Sequence, residues 1–256
     1  MRGVLAVFKK ELSVTFASPI FYAVGFIFLV VSGYFFYSNI AVFTVLSFQA
    51  RSNPFLAEKL NLGDLVVRPL FGQVSIILLL VLPLVTMRSY AEEKKLGTIE
   101  LLFTYPISDA AGLTGKYLAA LFVLLALLVG TLPSLFLLEA FANLDWGSVL
   151  TGYLGTFLMG ASFISLGVFC SSLTENQIVS AVLSFGALLL FWLIGWAKLI
   201  AGPGAAPVLE HLSIMAHLDP FARGLIDTRD LVFYALFSLF WLFLTLRFLS
   251  SRFWRG

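Results

Sequence analysis

Three places in this 256-residue chain hold residue types at spacings that could do chemistry, and each lacks a necessary part. The segment Ala110-Ala-Gly-Leu-Thr-Gly115-Lys116-Tyr117 has the Gly-Lys pair of a phosphate-cradling loop. Such a loop also needs a glycine five positions before that pair and a hydroxyl residue after it, where this chain has Ala110 and Tyr117. The segment therefore reads as a helix start with a lysine at a membrane edge. His211 and His217 stand six apart with Glu210 and Asp219 nearby, but no H-E-x-x-H pair sets two imidazoles on one helix face beside a general base. Ser162, in Gly160-Ala-Ser-Phe, lacks the second glycine of a nucleophile elbow. Nucleotide hydrolysis, metal catalysis and intramembrane proteolysis are all disfavoured for this chain.

The remaining polar feature is Arg88–Ser108, RSYAEEKKLGTIELLFTYPIS, the longest charged interruption in an otherwise apolar chain. At the helical period Leu96, Ile99, Leu102 and Phe103 share one arc, and Glu93, Gly97, Glu100 and Thr104 the opposite one. That spacing predicts a short amphipathic helix at a membrane surface, presenting a polar, glycine-notched face to something outside the membrane.

The rest of the chain must position that helix. Hydrophobic residues make up 60% and charged residues 12%, with a mean hydropathy of +1.00, which excludes an ordinary soluble domain. The formal charge of +2 carries no basic patch with interleaved aromatics, so nucleic acid is not a partner. The single cysteine, Cys170, allows no internal disulfide. Met1–Ser18 lacks the apolar run and small-residue cleavage site of a signal peptide. Residues 2–17 instead place Val4, Leu5, Phe8, Leu12 and Phe16 opposite Lys9, Lys10 and Ser13, the pattern of an interfacial helix with its lysines toward head groups.

The apolar runs predict six spans at 20–41, 69–87, 117–138, 149–170, 178–197 and 231–249. Each is about as long as ~30 Å of hydrocarbon requires. None has an acid or base at its middle, which argues against an ion-driven carrier. Arg68 and Glu139 fall at span edges, where snorkelling accounts for them. Gly152, Gly155, Gly160 and Gly167 in the fourth span favour close helix packing. An even span count puts both termini on one side, and that side carries ten of the 16 Lys and Arg residues, so it reads as cytoplasmic. Arg88–Ser108 lies there too. The far side holds Val42–Arg68, turn-rich at Asn53-Pro54, and Lys198–Asp230. The latter is expected as an outer re-entrant region resting Leu209, Leu212 and Met215 on the bilayer. A helical bundle without an engine, bearing one polar handle, implies a motor on a separate chain.

Arg88, Ala91, Glu92, Glu93, Gly97, Thr98, Glu100, Leu101, Leu102, Pro106 and Ser108 strongly resemble the first cytoplasmic loop of permease subunits of ABC-2-type ABC transporters. The likeness extends over the chain, from the N-terminal helix ending in Ser-Pro to the re-entrant region. The segment His217–Asp230 resembles the gliding-motility-type branch and related copper-maturation permeases. The resemblance implies an all-α integral membrane protein with six transmembrane helices, an interfacial amphipathic helix and the ABC-2 (type V exporter-like) permease fold. It further implies a homodimer in a bacterial inner membrane, carrying two cytoplasmic ATPase subunits that bind the ATP and Mg, with no cofactor on this chain. An accessory periplasmic or membrane-anchored protein is compatible with it. Residues 88–108 would be the coupling helix, with charged contacts from Glu92, Glu93, Lys94 and Glu100. Gly97 would permit close backbone approach, and Leu96, Ile99 and Leu102 would lock the helix to its own spans. Ser171, Ser172, Glu175 and Asn176 would form a second, smaller contact. A non-transporting relay to a periplasmic or motility machine is the alternative.

Overall fold

The computed structural model describes residues 2–52, 60–98, 108–197, 202, 204 and 206–252. The expected turn at Asn53-Pro54 lies outside them. Helix α1 (Arg2–Ala17) ends where Ser18 turns extended and Pro19, which needs no N–H partner in a first turn, opens α2 (Pro19–Ala50). A π-helical turn at Gly63–Val67 leads into α3 (Arg68–Thr86), and α4 (Arg88–Lys95) follows after Met87. The remaining long helices are α5 (Asp109–Glu139), α6 (Trp146–Leu173), α7 (Gln177–Ala197) and α10 (Thr228–Arg252), with α8 (Ala206–Leu212) and α9 (Leu218–Ala222) short between the last two. Polar side chains start three of them. Ser108 Oγ accepts from Ala111 N, Asp145 Oδ1 from Gly147 N, and Asn176 Oδ1 from Ile178 N.

Among the described residues six helices are long and apolar enough to cross a membrane, so the chain is an all-α integral membrane protein. The helices outrun the apolar runs that predict them. Most notably, α2 continues past Ala41 to Ala50, into the connection that precedes the next span. Thr44 and Ser47 turn their hydroxyls onto Ile40 O and Phe43 O, each at 2.8 Å, so neither leaves a polar group unsatisfied in that extension.

Helix α6 is the axis of the bundle. Buried residues make up 78% of its most apolar stretch, against 17% for α2 and α7 and 11% for α10. Its glycines are why. A methyl group on Gly152 would lie 2.1 Å from the Phe71 ring, on Gly155 2.5 Å from Phe221, on Gly160 2.6 Å from Leu124, and on Gly167 2.2 Å from Thr86 Oγ1. Helices α3, α5 and α9 thus close on α6 at distances only glycine permits. Some polar side chains join helices: Asn39 and Gln73 link α2 to α3 at 2.9 Å, and Thr131 meets Tyr153 at 2.7 Å. Ser162 Oγ lies 3.3 Å from Tyr234 O and from Ser238 Oγ, which makes it a packing hydroxyl between α6 and α10.

The end remote from α1 has its own polar contacts. Arg68 Nη2 pairs with Asp219 at 2.6 Å, and Asp219 also holds Arg223 at 2.8 Å. Glu139 accepts from Leu144 N at 2.8 Å, closing the turn after α5. In the α8–α9 region Leu212 is exposed, whereas Ile214, Leu218 and Phe221 are buried, because Phe221 seats on Gly155. The two imidazoles do not converge. His217 Nδ1 meets Asp230 at 2.6 Å, while His211 Nδ1 meets Pro207 O at 2.9 Å.

Gly152→Val should lower the unfolding midpoint in detergent by an amount equivalent to about 1–3 kcal/mol, the usual cost of overpacking. Gly72→Ala, whose new methyl has nothing within 4 Å, should be neutral or stabilising. Equal effects would contradict a bundle organised on the α6 glycines.

Candidate functional site

The polar segment begins as α4, and α4 is held from three sides. At its start, Ser171 of α6 inserts its hydroxyl into the joint after α3. Its Oγ accepts from Tyr90 N at 3.0 Å and Ala91 N at 3.1 Å, and donates to Met87 O at 2.9 Å. A side chain entering the helical ladder is a recognised cause of a helix break. Ser171 and Ser172 are fully buried, and Lys94 Nζ donates to Ser172 O while lying 5.4 Å from the centre of the Phe248 ring. Tyr90 and Ala91 are buried beside them.

The other hold is ionic. Lys116 of α5, its side chain 2% exposed, reaches Glu93 at 2.9 Å, Glu11 of α1 at 2.8 Å and Ser89 O at 2.6 Å. Its three ammonium hydrogens thus have three acceptors, and it also lies 5.0 Å from the Tyr90 ring centre. Lys10 of α1 reaches the same Glu93 oxygen at 2.8 Å and lies 3.9 Å from Glu11. Burial pulls the Lys10 ammonium down, but the Glu93 carboxylate against it outweighs this and holds it above the usual lysine range. Two ammonium groups and two carboxylates balance in charge, which is the condition under which such burial is tolerated. The arrangement is a clamp joining α1, α4 and α5.

Three sequence expectations change. The single helix over 88–108 ends at Lys95, and Gly97 takes φ +67°, a left-handed conformation that suits glycine after a helix. Glu93 and Gly97 therefore do not share one helical face. Glu93 and Lys94 face inward, engaged by α1, α5 and α6, as are Ser171 and Ser172. Leu96, expected to lock the helix to its spans, is 66% exposed. What remains open is half-buried Glu92, the turn Lys95–Thr98, and Glu175 with Asn176 on the connection after α6. Ser108 caps α5, and Arg88 Nη1 donates to Ser18 Oγ at 3.2 Å. Glu100, Leu101, Leu102 and Pro106, together with Ile99, lie outside the described residues.

Sequence reasoning missed Lys10 and Lys116 as partners of Glu93, and Glu11 as the second carboxylate they share. It placed both lysines at head groups or a membrane edge. The interfacial helix docks on α5 through Val7, which meets Gly115, and this packing draws Lys10 and Glu11 over the clamp while Leu5 stays exposed. The Gly-Lys pair that resembles a phosphate loop is thus a helix contact beside a buried ion.

Membrane-crossing helices around a glycine-lined axis, with a clamped polar turn at one end, define a polytopic membrane component. Residues 58–201, more than half of the chain, match the ABC-2 family transporter proteins, and the chain belongs to that family. Its members are membrane components of transporters that work with an ATPase partner. No individual curated protein matches the chain. The matched region spans α3 to α7 and includes Glu93 and Lys116 but not α1.

Lys116→Met should cost about 3–5 kcal/mol in thermal unfolding, since it leaves the buried Glu93 carboxylate, and Glu11 beside it, with only the half-exposed Lys10. Lys10→Met, with a side chain 55% exposed, should cost under about 1 kcal/mol. Equal losses would contradict Lys116 as the centre of the clamp.

Proposed function

We propose that this chain is the permease subunit of an ATP-driven ABC-2-type exporter, gripped by a separate ATPase at Lys95–Thr98 and at Glu175–Asn176. The observation that carries the reading is the contrast within one segment: an exposed polar turn grows directly from a short helix clamped to three others. A surface that transmits force must be open to its partner and rigidly joined to what it moves, and this turn meets both conditions. Glu92 and Thr98 supply polar contacts, and Gly97 leaves the turn without a side chain. Arg88, Ala91, Glu93, Lys94, Ser171 and Ser172 act as positioning residues. ATP and Mg are bound and consumed on the ATPase, in two copies against a homodimer of this chain, and their closure draws the clamped turns together as rigid bodies. The basic bias of the termini and of residues 88–116 supports cytoplasmic termini in a bacterial inner membrane.

A second reading is a force relay to a periplasmic or motility machine, with no cargo of its own. The filled interior around α6 favours it, since a path for cargo would have to lie between copies.

Affinity purification of the tagged chain from its native membrane should retain an ATPase subunit. Gly97→Trp should reduce that retention, or the ATP hydrolysis it stimulates, at least tenfold with the bundle still folded. Gly97→Ala carries the same left-handed strain of about 1–2 kcal/mol and should keep most of it. Equal retention together with equal ATP hydrolysis in Gly97→Trp and wild type would overturn the assignment of this turn.

A further inference from the structure

Between α1, the start of α2, the end of α3 and α5 lies a cavity of about 360 Å³. One part of its wall is apolar, from Phe21, Val24, Leu84 and Val123. The other is polar, from Ser18 and Arg88. Leu84 is 41% exposed on the outer surface of the bundle, so the apolar part reaches the face turned to lipid. Lys10, Glu11, Glu93 and Lys116 also border the cavity, but they neutralise one another.

Arg88 is different. Its one described side-chain partner is Ser18 Oγ, its Nε is buried without a partner, and it makes no ion pair among the described residues. Glu92, one turn further on at the rim, is not paired with it either. A half-buried guanidinium at the polar end of a greasy slot is matched by a planar set of anionic oxygens attached to an acyl chain. We infer that this cavity binds one anionic membrane phospholipid, its phosphate at Arg88 and an acyl chain along Phe21, Val24, Leu84 and Val123. The lipid would fill the corner between α1 and α2 beside the clamp. The inference is independent of any ATPase.

Native mass spectrometry of the full chain in maltoside detergent with added phosphatidylglycerol tests it. Wild type should keep one lipid per chain at collision energies that strip the rest. Arg88→Gln should lower that occupancy at least tenfold, and Val24→Trp, which fills the apolar part, should do likewise. Glu92→Gln removes a competing negative charge and should raise it. Wild-type occupancy in Arg88→Gln or Val24→Trp would overturn the site. So would displacement of the lipid by millimolar inorganic phosphate, which would mark an anion pocket without an acyl slot. If either substitution prevents folding, the sign of the Glu92→Gln effect decides, and a fall or no change overturns the proposal.

Discussion

The buried ammonium of Lys116 constrains everything at its end of the molecule. An ion removed from water by this much protein must be surrounded by acceptors, or its desolvation would cost several kcal/mol. Glu93, Glu11 and Ser89 O supply them, the first and last from α4 and Glu11 from α1, while Lys116 itself stands on α5. Three segments that could otherwise move past one another on an apolar surface are thereby set in one register. Dispersion alone would not do this. Contacts among Val, Leu and Phe tolerate sliding, whereas a lysine with three acceptors does not.

The rest of the bundle extends that register away from the clamp. Ser171 fixes the start of α4 to α6, and the α6 glycines admit Thr86, Leu124, Phe221 and Phe71 in succession along its length. At the opposite end Asp219 holds Arg68 and Arg223 together, so the entry to α3 is tied to the segment that seats Phe221. A displacement applied at the turn after Lys95 meets ion pairs, then hydroxyl bonds, then close-packed backbone, with no compliant layer between. The peripheral helices α2, α7 and α10 bury little within the chain, so most of their apolar surface faces outward.

What the sequence made legible was set by hydropathy and local spacing. Six apolar runs, the Ser18-Pro19 break, the α6 glycines and the polar segment after α3 were all readable, because each is a pattern within one stretch of chain. The clamp was not. Glu93 and Lys116 lie on different helices, a pairing no local signal fixes, and Glu11 comes from a helix whose docking depends on Gly115 meeting Val7. Ser171 looked like part of a short loop and proved to be inserted into another helix. The helical period also assumed one continuous helix through Gly97, where a left-handed residue ends it. The inward turn of Glu93 and Lys94 follows from that burial, and it moves the open surface to Lys95–Thr98.

The central claim is that α4 is rigidly joined to the bundle while the turn that follows it is free. Amide hydrogen exchange on the full chain in lipid nanodiscs measures this directly. Tyr90–Lys95 should exchange as slowly as the middle of α6, with Leu96–Thr98 faster by orders of magnitude. Exchange of Tyr90–Lys95 at the rate of Leu96–Thr98 would contradict it.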